Sequence, residues 1–104
     1  MRILNTKHGK FSLKQINQFS ENLIGQVFSL LPKKESGYEN LDHEIDSIIL
    51  KIKGLNRMLN MPPELITVIC LLEAARDESD FQMYRKAILD SCAIIRLLVS
   101  RLGD

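Results

Sequence analysis

Leu41, Ile45, Ile48, Ile52, Leu55 and Leu59 follow one another at intervals of 4, 3, 4, 3 and 4 residues. That spacing puts all six on one side of an α-helix and conflicts with a strand, whose faces alternate every second residue. A stripe sustained for nearly three heptads needs another apolar surface to lie against. The rest of the chain supplies candidates. Ile16, Phe19, Leu23, Val27 and Leu30 repeat at helical spacing, widened by Ile24, Phe28 and Leu31. Phe81, Tyr84, Ile88, Ser91, Ile95, Leu98 and Leu102 form a further row with Ser91 its one polar member, widened by Ala87, Cys92, Ile94 and Val99. Leu65 to Leu72 is almost continuously apolar and β-branched at Ile66, Thr67, Val68 and Ile69. It reads as a helix because it runs on into Glu73-Ala74-Ala75-Arg76 and has no second strand to pair with.

Local signals set the ends of these segments. Ser12-Leu13-Lys14-Gln15 matches a capping box, with Phe11 and Ile16 placed as a hydrophobic staple. With Pro32 as the stop, the first helix is predicted over 12–31. Gly25 inside it costs up to ~1 kcal/mol relative to Ala, which close approach of a neighbouring helix would explain. Residues 32–40 hold no large aliphatic side chain and read as a loop, with Asn40 as the expected N-cap of a second helix over 41–60. Pro62-Pro63-Glu64 opens the third helix, whose apolar run implies burial on most sides. After a turn at 77–79, Ser79-Asp80-Phe81-Gln82 is a second capping box, opening a helix over 80–102 with Gly103 as its C-terminal cap. Residues 1–10 read as a polar N-terminal arm, loose or docked, and 11–104 as a single helical domain. The expected fold is all-α, a small four-helix bundle or an irregular four-helix array. Short links favour antiparallel neighbours.

Composition removes several function classes. With 45% apolar and 26% charged residues and a net charge of +1 over 104 residues, the chain is neither disordered nor strongly drawn to polyanions. No apolar run approaches the roughly 20 residues of a membrane span, and no signal-peptide pattern is present. Cys70 and Cys92 sit among apolar residues with no metal-ligand spacing. They read as free, buried, inert thiols of a reducing, cytoplasmic compartment.

Candidate chemistry is sparse. Asp42 and Asp46 share a helix face at i, i+4 with Glu39 close by, a set that would suit a divalent cation in a metal-dependent helical enzyme. Such a site needs a matching acidic pair from a second helix, and Glu73 and Asp77 stand at a helix end. Acids in a first turn also complement the helix dipole. His8 and His43 lack zinc-ligand spacing. Ser91-Cys92 lies in a buried stripe with no base nearby in sequence. Gly25 and Gly54 are isolated, so no phosphate loop exists. No catalytic residue, metal ligand or cofactor is assigned. The third and fourth helices superficially suggest a helix-turn-helix carrying Arg85, Lys86, Arg96 and Arg101, but the apolar stripe is too broad for a groove reader. The arm, with Arg2, Lys7, Lys10 and Lys14 and no acid, could contact phosphate, so a small nucleic-acid-binding regulator is the alternative reading.

The most informative feature is surplus hydrophobicity. Ile94, Ile95, Leu97, Leu98 and Val99 cover almost every direction of the last helix within two turns, and Ile49, Leu50 and Met58 lie outside the seam of the second. Large exposed apolar patches mark interaction sites. The expectation is a non-enzymatic protein-interaction module, of the adaptor, inhibitor, immunity or regulatory type, binding a protein partner or a second copy as a homodimer. Ile94, Ile95, Leu98 and Leu102 are the residues expected to serve packing or association at its interface, with Arg96 and Arg101 at the rim. The basic arm (Arg2, Lys7, Lys10, Lys14) and the acidic segment holding Glu35, Glu39, Asp42, Glu44 and Asp46 would steer the partner.

Overall fold

A computed structural model of the chain describes residues 3–6 and 9–102, with side chains from residue 13 onward. The elements are β1 (Ile3–Thr6), β2 (Gly9–Ser12), α1 (Leu13–Phe28), α2 (Leu30–Glu35), α3 (Leu41–Met58), α4 (Pro63–Arg76) and α5 (Phe81–Leu102). The four long helices form the expected all-α array. Within the arm, β1 and β2 pair antiparallel, Ile3 with Ser12 through Thr6 with Gly9. The side chains of Arg2, Lys7 and Lys10, those of Phe11 and Ser12 in the first cap, and Gly103 lie outside the described residues.

Pro32 bends the first helical row where the sequence predicted a stop. A proline nitrogen has no hydrogen for the carbonyl four residues back, and its ring crowds that carbonyl. The α-helix therefore breaks at Ser29, and Pro32 falls in the first turn of α2, where the missing N–H is tolerated. Ser29 bridges the break: its N–H donates to Gly25 O (3.0 Å), its hydroxyl to Gln26 O (2.6 Å), and its carbonyl accepts from Lys33 N (3.4 Å). The expected loop is thus helical as far as Glu35. It closes at Gly37 (φ 71°), with Tyr38 N donating to Lys33 O and Gly37 N to Lys34 O, a Schellman cap. The end of α3 uses the same device with Asn60 (φ 63°) as the left-handed residue, Met61 N donating to Asn56 O (2.8 Å) and Asn60 N to Arg57 O. Met61 is left-handed too (φ 60°), at a cost of about 1–2 kcal/mol for a side chain larger than glycine.

Helix starts follow the sequence with one shift. Pro63 occupies the first turn of α4, as expected. Asn40 precedes α3 but makes no side-chain cap bond. At α5 the cap is Asp80, one residue beyond Ser79, its carboxylate accepting from Gln82 N at 2.9 Å. A carboxylate there also meets the positive end of the helix dipole.

Cross-helix contacts give the topology. Tyr84 donates its hydroxyl to Leu30 O (3.1 Å), and the Cys92 thiol lies 3.8 Å from Ile24 O, so α5 runs antiparallel to the first helical row. Asp46 near the start of α3 meets Arg76 at the end of α4, and Leu55 and Met58 at the end of α3 lie beside Ile16 and Phe19 near the start of α1 while Lys51 meets Gln26, which sets α3 antiparallel to both α4 and α1. Arg101 meets Glu64, closing α4 against α5. The result is an up-and-down arrangement in which α5 packs on both α4 and α1, and α3 on α4. One core cluster runs through it, including Leu23, Val27, Ile45, Ile52, Leu65, Leu72, Tyr84, Ile88 and Ile95. Two expectations fail here. A methyl group added at Gly25 would meet nothing within 4 Å, so no neighbouring helix explains that glycine. And α4 is covered on one side only: Leu65, Val68, Leu72 and Ala75 are buried while Ile66, Thr67, Cys70 and Ala74 are exposed.

Tyr84 is fully buried at the junction of α2 and α5, with the Lys34 ammonium 4.9 Å from its ring centre. Burial, reinforced by the negative charge of Asp42, pushes its phenol up to about 12 from an ordinary value of 10. The folded state therefore holds the proton after the unfolded chain has lost it, and this contribution to stability, complete below pH 10, is lost as pH rises from about 10 through about 12. Denaturant midpoints measured across that window should fall more steeply for the native chain than for Tyr84→Phe. The variant itself should lose about 0.5–1.5 kcal/mol at neutral pH with its hydrogen bond.

Candidate interaction face

The inner row of α5 is consumed by the fold. Tyr84, Ile88, Ser91, Cys92, Ile95 and Leu98 are all buried, because α1 and α4 close over that side. Ile95 is 0% and Leu98 1% exposed, and Ile94 and Leu102 are partly buried against the core. Of the four residues expected to serve packing or association, Ile95 and Leu98 are therefore taken up by packing, while Ile94 and Leu102 keep part of their surface outside. Arg96 and Arg101 are exposed, as a rim requires, and Arg101 pairs with Glu64.

The apolar residues left outside on α5 are different ones. Leu97 is 68% and Met83 58% exposed. They stand two heptads apart with Asp90 midway, on one stripe about 21 Å long. Beside this stripe a groove of about 230 Å³ runs between α4 and α5, lined by Leu71, Ala74, Ala75, Glu78, Met83, Lys86, Ala87 and Asp90. Its floor is apolar and its charges are at the margin, where Lys86 and Asp90 pair at 3.0 Å. The small side chains Ala74, Ala87 and the exposed Ala93 leave the backbone of both helices approachable. A larger groove of about 500 Å³ lies between α3 and α4, with Asp46, Lys53, Glu73, Arg76 and Asp77 in its walls and Leu50 exposed at its edge. Its charged walls suit water better than an apolar partner.

The charges separate along the bundle. The acidic segment, with Glu35, Glu39, Asp42, Glu44 and Asp46, spans the α2–α3 link and first turns of α3. The α4–α5 turn adds Asp77, Glu78 and Asp80 at that same end, where Lys34 donates to Glu78 O (3.0 Å). At the other end lie Lys14 at the start of α1, Arg57 at the end of α3, and Arg96 and Arg101 in the last turns of α5. The chain of the basic arm enters at this end, through β2 into α1. The two blocks read as steering elements therefore sit at opposite ends.

The carboxylates considered for a cation do not converge. Asp46 turns onto Arg76 at 3.2 Å and Glu44 pairs with Lys33 at 3.5 Å, while Glu39 and Asp42 are exposed. Among the described residues no group of three or more His, Cys, Asp or Glu is placed to hold a metal ion. His43 is exposed on the first turn of α3. Ser91 donates to Ala87 O at 2.8 Å inside the core. Among the described residues no helix is long and apolar enough to cross a membrane. Comparison with protein-family models, curated proteins and solved structures found no match.

The two thiols differ, against the expectation that both are buried. Cys70 is exposed on the outer side of α4, while Cys92 is buried. Burial pushes the Cys92 thiol above its ordinary range, and the Arg96 charge offsets only part of that. A thiol reagent such as Ellman's should therefore react promptly with Cys70 in the native protein and with Cys92 only after denaturation. Equal, fast reaction of both thiols would contradict the packing of α5 on α1.

Proposed function

We propose that the chain is a non-enzymatic protein-interaction module of the cytoplasm, an adaptor, inhibitor, immunity-type or regulatory factor. It binds its partner through the outer face of α4 and α5. The observation that carries this reading is the pair Met83 and Leu97, large apolar side chains left mostly in water beside an apolar groove. Exposed apolar side chains become hot spots when a partner covers them and excludes solvent around them. The polar margin of Glu78, Lys86 and Asp90 fits the rim of such a contact. Arg96 and Arg101 add charge at one end of it.

The nucleic-acid alternative is supported only by the clustering of Lys14, Arg57, Arg96 and Arg101 with the basic arm at one end of the bundle. A salt-dependent gel shift favours that alternative, and none at low salt removes it.

The test is a double variant, Met83→Glu with Leu97→Glu. Both positions are exposed, so the fold should hold, with stability changed by less than about 1 kcal/mol. Immobilised native chain and double variant are compared for the proteins they retain. Partners held by the native chain and released by the variant support the reading. Identical partner sets for a folded variant overturn it.

A further inference from the structure

The interaction-face reading leaves the occupant open, and the following inference rests on it. We propose that the occupant is a second copy of this chain, with the two α5 helices packed antiparallel across a two-fold axis at Asp90. A two-fold contact needs one surface that complements itself, and three features of α5 meet that condition together.

The first is register. Met83 and Leu97 are each seven residues from Asp90. Reversing the helix about Asp90 places Met83 of one copy against Leu97 of the other, twice over, so each exposed apolar side chain covers another. The same reversal exchanges Ala87 with Ala93, three residues either side of the axis. Small residues there let the two backbones approach.

The second is charge. The turn entering α5 carries Asp77, Glu78 and Asp80 and no base, and the last turns carry Arg96 and Arg101 and no acid. With the axis at Asp90, Arg101 of each copy falls opposite Ser79 of the other, between Glu78 and Asp80, while Arg96 falls opposite Tyr84, beside Arg85, and gains no acid. A parallel pair stacks like on like, at a cost for each facing pair. Head-to-tail stacking also matches the ends, but it leaves Met83 and Leu97 in water and does not close.

The third is the axis itself. Asp90 would meet its own copy there, which a lone carboxylate would oppose. Lys86 already holds it at 3.0 Å, so the axis gathers two ion pairs of alternating sign.

Sedimentation velocity over a concentration series, together with cross-linking by a short bis-maleimide, tests this. Cys70→Ser removes the exposed native thiol, and single cysteines are then placed as Asp90→Cys or, on the exposed side of α3, Leu50→Cys. The expected result is a concentration-dependent dimer, cross-linked through Asp90→Cys far more than through Leu50→Cys. Met83→Glu with Leu97→Glu should weaken it by about 100-fold or more, since each substitution sets a charge where an apolar side chain would be covered. A monomer at every concentration, equal cross-linking at the two cysteines, or a dimer indifferent to the double variant overturns the proposal. A monomer whose hetero-partner is lost in the double variant overturns the two-fold pairing alone and leaves the interaction-face reading standing.

Discussion

Everything in this molecule depends on how α5 is held. It packs against α1 on one side and α4 on the other. The grip is reinforced near its start by Tyr84 reaching the Leu30 carbonyl and farther along by Cys92 lying against the Ile24 carbonyl. Once two sides of a helix are covered, only a third remains for solvent or for a partner. Residues at core spacing from Tyr84 are spent on the interior, and Met83 and Leu97, set off from that row, stay outside. The fold therefore fixes both which apolar residues are free and the line they lie on.

The ends of the bundle carry the second constraint. The acidic segment, the α4–α5 turn and the bend at Ser29 gather at one end. Lys33 and Lys34 on α2 offset some of that charge, through the Glu44 carboxylate and the Glu78 carbonyl. The opposite end collects the basic residues of three helix termini. In a chain of net charge +1 the acidic residues thus gather towards one end, where Arg76, Arg85 and Lys86 also stand, and Lys14, Arg57, Arg96 and Arg101 gather towards the other.

Much of the architecture was legible because apolar spacing reports the buried side of a helix directly. The seam from Leu41 to Leu59 is the inner side of α3 and its C-terminal cap, and Pro63 does open α4. What escaped were competitions that pattern does not decide. Pro32 reads as a stop, yet a proline in a first turn is harmless, so a short bend at Ser29 let the helix continue. Asn60 took a left-handed position usually given to glycine. The exposed apolar residues of α5 were harder. Surplus hydrophobicity on the last helix was visible, but Ile94, Ile95, Leu97 and Leu98 look alike in sequence, and only the positions of α1 and α4 sort them into core and surface. Naming Ile95 and Leu98 for packing or association left those two roles unseparated for the same reason. The one available signal was register: Met83 and Leu97 share a heptad position that the Tyr84–Ile88–Ile95–Leu98 row does not occupy. Cys70 escaped in the same way, since an apolar run conceals which side of α4 is covered.

Neighbouring residues of α5 divide between a packed interior and a free exterior. Equilibrium unfolding of Ile95→Ala and Leu97→Ala in dilute solution tests this most directly. Ile95→Ala should lose about 2–5 kcal/mol, the cost of a cavity in a filled core. Leu97→Ala should stay within about 0.5 kcal/mol of the native chain. Equal losses, or a larger loss at Leu97, would mean that α5 is not divided in this way.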